Sequence, residues 1–131
     1  MNQIEFEQTV ADAFDALPEK FKKKIENVGF VVEKEVRPAE LQERGIRFHG
    51  TLLGLYQGVP LSKRGVNYSL VLPDKITLFK NSIEQLASND DQKTKALVQK
   101  VLYHEIGHYF GLNESEVRGW EQRRKNNKQI S

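Results

Sequence analysis

The chain has 131 residues, no cysteine, one methionine, 38% hydrophobic residues, 29% charged residues and a formal net charge of +2. That length points to one domain over residues 1–131, able to bury roughly two thirds of its unfolded surface without a disulfide or structural metal. The absence of cysteine excludes zinc fingers, iron–sulfur sites and thiol catalysis, and the acidic start with only short apolar runs predicts a cytoplasmic protein with no membrane contact. The charge is unevenly spread. Residues 1–19 hold Glu5, Glu7, Asp12, Asp15 and Glu19 with no Lys or Arg, whereas the segment from Arg118 holds Arg118, Arg123, Arg124, Lys125 and Lys128 against Glu121 alone. Because only Trp120 interleaves with these basic residues, a solvated helical end is favoured there over a nucleic-acid surface.

Phe6, Val10, Phe14, Leu17, Phe21, Ile25 and Val28 recur at steps of three and four, which predicts an amphipathic helix. Pro18 should break it and start a second helical segment with Glu19 in its first turn, and Gly29 should end it. Phe30 to Val36 has strand composition and stops before Pro38. A second strand is expected from Thr51 to Gly58, which could offer an edge to an extended peptide, and a third from Asp74 to Lys80. Residues 62–65 are turn chemistry. The next helix should start at Ser88-Asn89-Asp90-Asp91, where cap and acidic residues suit the helix dipole, and run to Phe110 before Gly111. This order predicts an α+β domain with a small sheet carrying helices on one face, the chemistry-bearing helix lying near the C-terminus.

That helix carries His104-Glu105-Ile106-Gly107-His108. Histidines four apart project from one face a turn apart, so both can meet one metal ion, and zinc suits two imidazoles, one carboxylate and an open position. The third ligand must come from beyond the helix. Gly111 lets the chain turn back, which makes Glu114 the natural candidate. Glu116 is the alternative, although Asn113 and Glu116 have the spacing of a capping box for a last helix. At about 100° per residue, Leu97, Val98, Val101, Leu102, Ile106 and Tyr109 sweep roughly half the circumference, and Glu105 falls inside that apolar arc. A carboxylate there is costly unless it has a task, and a general base beside an activated water is such a task. The histidines lie near the border of the arc. Tyr56, Tyr68, Tyr103 and Tyr109 are possible oxyanion donors by type, with Tyr109 reading first as a core aromatic. His49 reads as a surface residue, and Val117 and Trp120 as packing residues of the last helix.

These motifs, with Leu53-Gly54-Leu55-Tyr56-Gln57-Gly58-Val59-Pro60-Leu61, Leu72-Pro73-Asp74-Lys75-Ile76-Thr77-Leu78-Phe79 and the acidic helix running into Ala16-Leu17-Pro18-Glu19, resemble the short bacterial zincin-like metallopeptidases over nearly the whole chain. The resemblance implies a zincin-like core and puts metal ligands at His104, His108 and Glu114, with Glu105 as the catalytic base. Two features depart from related motifs. Glu114 stands where Asp is frequent, and Met1 is the only methionine, so a metzincin methionine turn is absent. The expectation is a zinc-dependent metallopeptidase acting on a peptide or protein substrate. The alternative is a non-catalytic metal-binding or protein-interaction module on the same frame, with a nucleic-acid role disfavoured and the oligomeric state left open.

Overall fold

A computed structural model describes residues 1–41, 45–48, 50–58, 74–113 and 115–119. The acidic start forms α1 (Gln3–Asp15), opened by a capping box in which the Asn2 side chain accepts from Glu5 N–H and the Glu5 carboxylate accepts from Asn2 N–H. Its stripe buries Phe6, Val10 and Ala13. Pro18, with no N–H to donate, is the N-cap of a short α2 (Glu19–Lys22), close to the expected break. The helix does not continue to Gly29. After Lys23 the chain turns through Asn27, whose φ of 56° is left-handed, and enters β1 (Val28–Glu33). Ile25 and Val28 keep the apolar spacing because both pack on the core from irregular and strand backbone.

A 3-10 turn (Pro38–Glu40) leads to β2 (Gly45–Phe48), β3 (Thr51–Gln57) and β4 (Asp74–Phe79). The sheet order is β1-β4-β3-β2. β1 runs parallel to β4, pairing Phe30 with Ile76, whereas β3 is antiparallel to both β4 and β2. A register shift between Ile46 and Arg47 puts a bulge in the β2–β3 hairpin. β2 therefore forms an edge of the sheet, and β3, which the sequence offered only as a possible edge, is an interior strand among the described residues.

Alternation along β4 divides the interior. Ile76 and Leu78 join Phe6, Val10, Val98, Val101, Leu102 and Ile106 in the main core, whereas Phe79 joins Leu52 and Leu55 on the opposite face of the sheet. After β4 a separate α3 (Lys80–Leu86) precedes α4 (Asp91–Tyr109). Asp90 caps α4 by accepting from Lys93 N–H, as the acidic start predicts. At its other end Leu112 N–H donates to Gly107 C=O and Gly111 N–H to His108 C=O, a Schellman motif that Gly111 permits at φ 92°. The architecture is the expected α+β one, and no helix among the described residues is long and apolar enough to cross a membrane.

Candidate functional site

The apolar face of α4 lies against the sheet, and the site is built on that contact. Gly54 in β3 makes it close. A β-carbon added there would fall 2.4 Å from Val101 Cγ1 and 3.5 Å from Glu105 Cγ, so α4 approaches the strand backbone itself. Glu105 is fully buried at 0% exposure, as its place in the apolar arc required. Its Oε2 accepts a 3.1 Å hydrogen bond from the backbone N–H of Ile46 in β2, beside the register shift against β3. A carboxylate taken from water is thus met by a backbone donor from the edge strand.

His104 and His108 face each other a turn apart, with ring centroids at 4.9 Å and Nε2 atoms at 3.2 Å. His104 is more buried, at 4% exposure, than a border position suggests, and His108 is half-buried. The Schellman turn orients His108. By reversing the chain at Gly111 it brings Leu112 C=O within 2.9 Å of His108 Nδ1, so that nitrogen donates and Nε2 keeps its lone pair in the neutral ring.

The other predicted residues separate clearly. Asn113 N–H donates to Glu116 Oε1 at 3.0 Å and Glu116 N–H to Asn113 Oδ1 at 2.9 Å, the reciprocal cap expected for the last helical turn. Val117 is buried. Tyr109 is a fully buried core aromatic whose hydroxyl accepts from Glu26 N–H at 2.9 Å and donates toward Glu26 C=O. Tyr56 donates to Asp74 Oδ2 at 2.6 Å, and Tyr103 packs edge-on against Phe21. Glu114, His49, Tyr68 and Trp120 lie outside the described residues. Among those described, no group of three or more His, Cys, Asp or Glu side chains gathers. Sequence reasoning missed the contributions of Ile46 N–H and Leu112 C=O. Backbone groups carry no residue signature, and only a glycine inside a strand hinted at the close approach.

The sequence profile of the zincin-like metallopeptidases matches residues 25–123, which takes in β1 through the last helical turn. The chain belongs to the zincin-like metallopeptidase family. A search of curated proteins finds no significant match. Membership fits the mixed sheet with α4 packed beneath it, and it gives this zincin-like chain a metallopeptidase frame.

Proposed function

We propose that the chain is a zinc-dependent metallopeptidase of the cytoplasm, cleaving peptide bonds in a peptide or partly unfolded protein. The observation that carries this reading is the convergence of two imidazole nitrogens on the turn of α4 that also bears the buried Glu105. Two zinc–nitrogen bonds of about 2.0–2.1 Å at a tetrahedral angle place their nitrogens about 3.3 Å apart. The 3.2 Å between His104 Nε2 and His108 Nε2 fits that spacing once His104 Nε2, the donor of the pair in this tautomer, gives up its proton. The tautomer set by Leu112 C=O puts the lone pair of His108 on Nε2, the nitrogen that faces His104. In this reading His104, His108 and Glu114 hold zinc, and the capping role of Glu116 favours Glu114 as the third ligand.

Bound zinc would supply activation of a water molecule and polarisation of the scissile carbonyl. The remaining work falls to the chain. Glu105 accepts the proton of the attacking water and returns it to the departing amide nitrogen, while Ile46 N–H holds its carboxylate in one orientation. The Gly54 contact keeps α4 and the β2–β3 hairpin in the register that makes this bond. Replacing Glu105 with Gln should leave one zinc per chain by metal analysis and abolish cleavage of a peptide library; cleavage that persists in E105Q overturns the mechanism.

One observation favours the alternative, a metal-binding or interaction module without turnover. Glu105 at 0% exposure and His104 at 4% sit out of solvent reach, which suits holding an ion more than admitting a substrate. One zinc per wild-type chain with no hydrolysis across a broad peptide panel would establish that reading.

A further inference from the structure

At the edge of the sheet opposite β2, α1 and β1 enclose a groove of about 400 Å³. Its apolar floor is Val10, Phe14, Phe30 and Val32, with the Phe14 and Phe30 rings 5.0 Å apart, and its rim carries Glu7 and Asp15. Ile4, 78% exposed, continues the apolar path seven residues before Ala11 on the same side of α1. β4 holds the inner edge of β1, and among the described residues no backbone hydrogen bond reaches the outer one. An open strand edge is a template for another extended chain.

Charge selects the occupant. Both charged side chains that line the groove, Glu7 and Asp15, are acidic, and Lys22 Nζ reaches the Asp15 carbonyl at one end. A second copy docking symmetrically through this face would set that acidic wall against itself, which costs energy. We propose that the groove docks an extended, basic segment of a partner protein. The segment adds as a strand to the outer edge of β1, rests a large apolar side chain on Phe14 and Phe30, and sets flanking Lys or Arg residues against Glu7 and Asp15. Because the groove lies at the β1 edge whereas Glu105 bonds to β2 at the other, this docking stands whether or not the chain is a peptidase.

The test is fluorescence anisotropy of a labelled peptide, alternating Lys or Arg with Phe or Val, titrated with the full chain. Binding should saturate at one peptide per chain, weaken with added salt, and be unchanged by zinc or by E105Q. Ala11→Arg fills the groove from an exposed helical position, and Glu7→Lys with Asp15→Lys reverses the rim. Each should weaken binding roughly tenfold while thermal melts stay unchanged. Failure to saturate, equal binding of a peptide with Glu in place of Lys and Arg, or indifference to Ala11→Arg overturns the proposal. So does a concentration-dependent dimer dissolved by Ala11→Arg, which would make a second copy the occupant. Binding that appears only after Arg118, Arg123, Arg124, Lys125 and Lys128 are replaced with Gln would assign the groove to the chain's own basic segment and overturn it equally.

Discussion

Glu33, Arg37 and Glu40 show how single residues fasten the turn that follows β1. Arg37 N–H donates to Glu40 Oε1 at 2.8 Å, and its guanidinium reaches Glu33 Oε1 at 3.1 Å and Glu40 Oε2 at 3.4 Å. Burial pushes the Glu33 carboxyl up, and the charge of Glu40 adds to this against the opposing pull of Arg37. Burial acts on Glu40 in the same upward direction, yet the backbone N–H and guanidinium of Arg37, together with Glu33, hold it below the usual carboxylate value. The two acids therefore contribute oppositely with pH. Glu40 supplies stability that is present above pH 4.5, its unfolded value, and is lost as pH falls through its lower folded value. Glu33, raised above 4.5, favours the fold at acid pH and loses that contribution as pH rises through its higher folded value. Glu33→Gln should raise the melting temperature slightly at pH 7, with the gain vanishing toward pH 4. Glu40→Gln should cost about 1–3 kcal/mol at pH 7, because the Arg37 N–H loses a charged acceptor, and less as the pH falls. Thermal melts between pH 3 and 8 check both signs, and a Glu33→Gln loss that grows with pH contradicts the assignment. Residue burial was legible from angular position alone for Glu105, because an α-helix fixes where each side chain points. The Arg37 arrangement was not legible, since Glu33 and Glu40 meet only after the chain turns at Pro38.

At the level of elements, the site depends on how closely α4 approaches β3. Gly54→Ala puts a methyl 2.4 Å from Val101 Cγ1, on a strand whose neighbours leave little room to shift. The expected cost is about 1–3 kcal/mol from overpacking, larger than the several tenths gained by stiffening the unfolded chain. Val101→Ala removes the clashing atom, so the double variant should recover part of the loss, a coupling above about 0.5 kcal/mol in denaturant unfolding. Strict additivity would show that the contact relaxes elsewhere. Element by element, α1, the Pro18 break, β4 and both ends of α4 were legible because each has a local cause: a 3.6-residue stripe, a missing N–H, a short apolar run, a cap and a terminal glycine. β2 and α3 were not. β2 is four residues, too short for its alternation to stand out, and α3 begins directly on the last residues of a strand pattern with no side-chain cap bond. The parallel pairing of β1 with β4 joins segments more than forty residues apart, beyond the reach of any local signal.

For the whole molecule, metal binding and folding should be linked. His104 and His108 lie in the last two turns of α4, a helix that also contributes Val98, Val101, Leu102 and Ile106 to the main core. An ion gripping both imidazoles therefore stabilises the helix on which that core is assembled. A ligand that binds only the folded state adds RT ln(1 + [L]/Kd), about 2.7 kcal/mol when free zinc exceeds Kd a hundredfold. For a chain of this size that is a rise in melting temperature of roughly 10 °C. The chain should fold without metal, since its described core holds together through apolar contacts, so a chelator should return the melt to its starting temperature without unfolding the protein. His104→Gln and His108→Gln should each lose most of the zinc-dependent rise, judged as the shift on adding zinc to each variant. His108→Gln should also lower the metal-free melt, because the Leu112 carbonyl loses its 2.9 Å partner. Glu105→Gln should keep the full rise, as Glu105 bonds Ile46 N–H and its proposed role is to move protons. A rise that survives both histidine variants would place the metal elsewhere on the chain, and with it the proposed chemistry of α4 would fall.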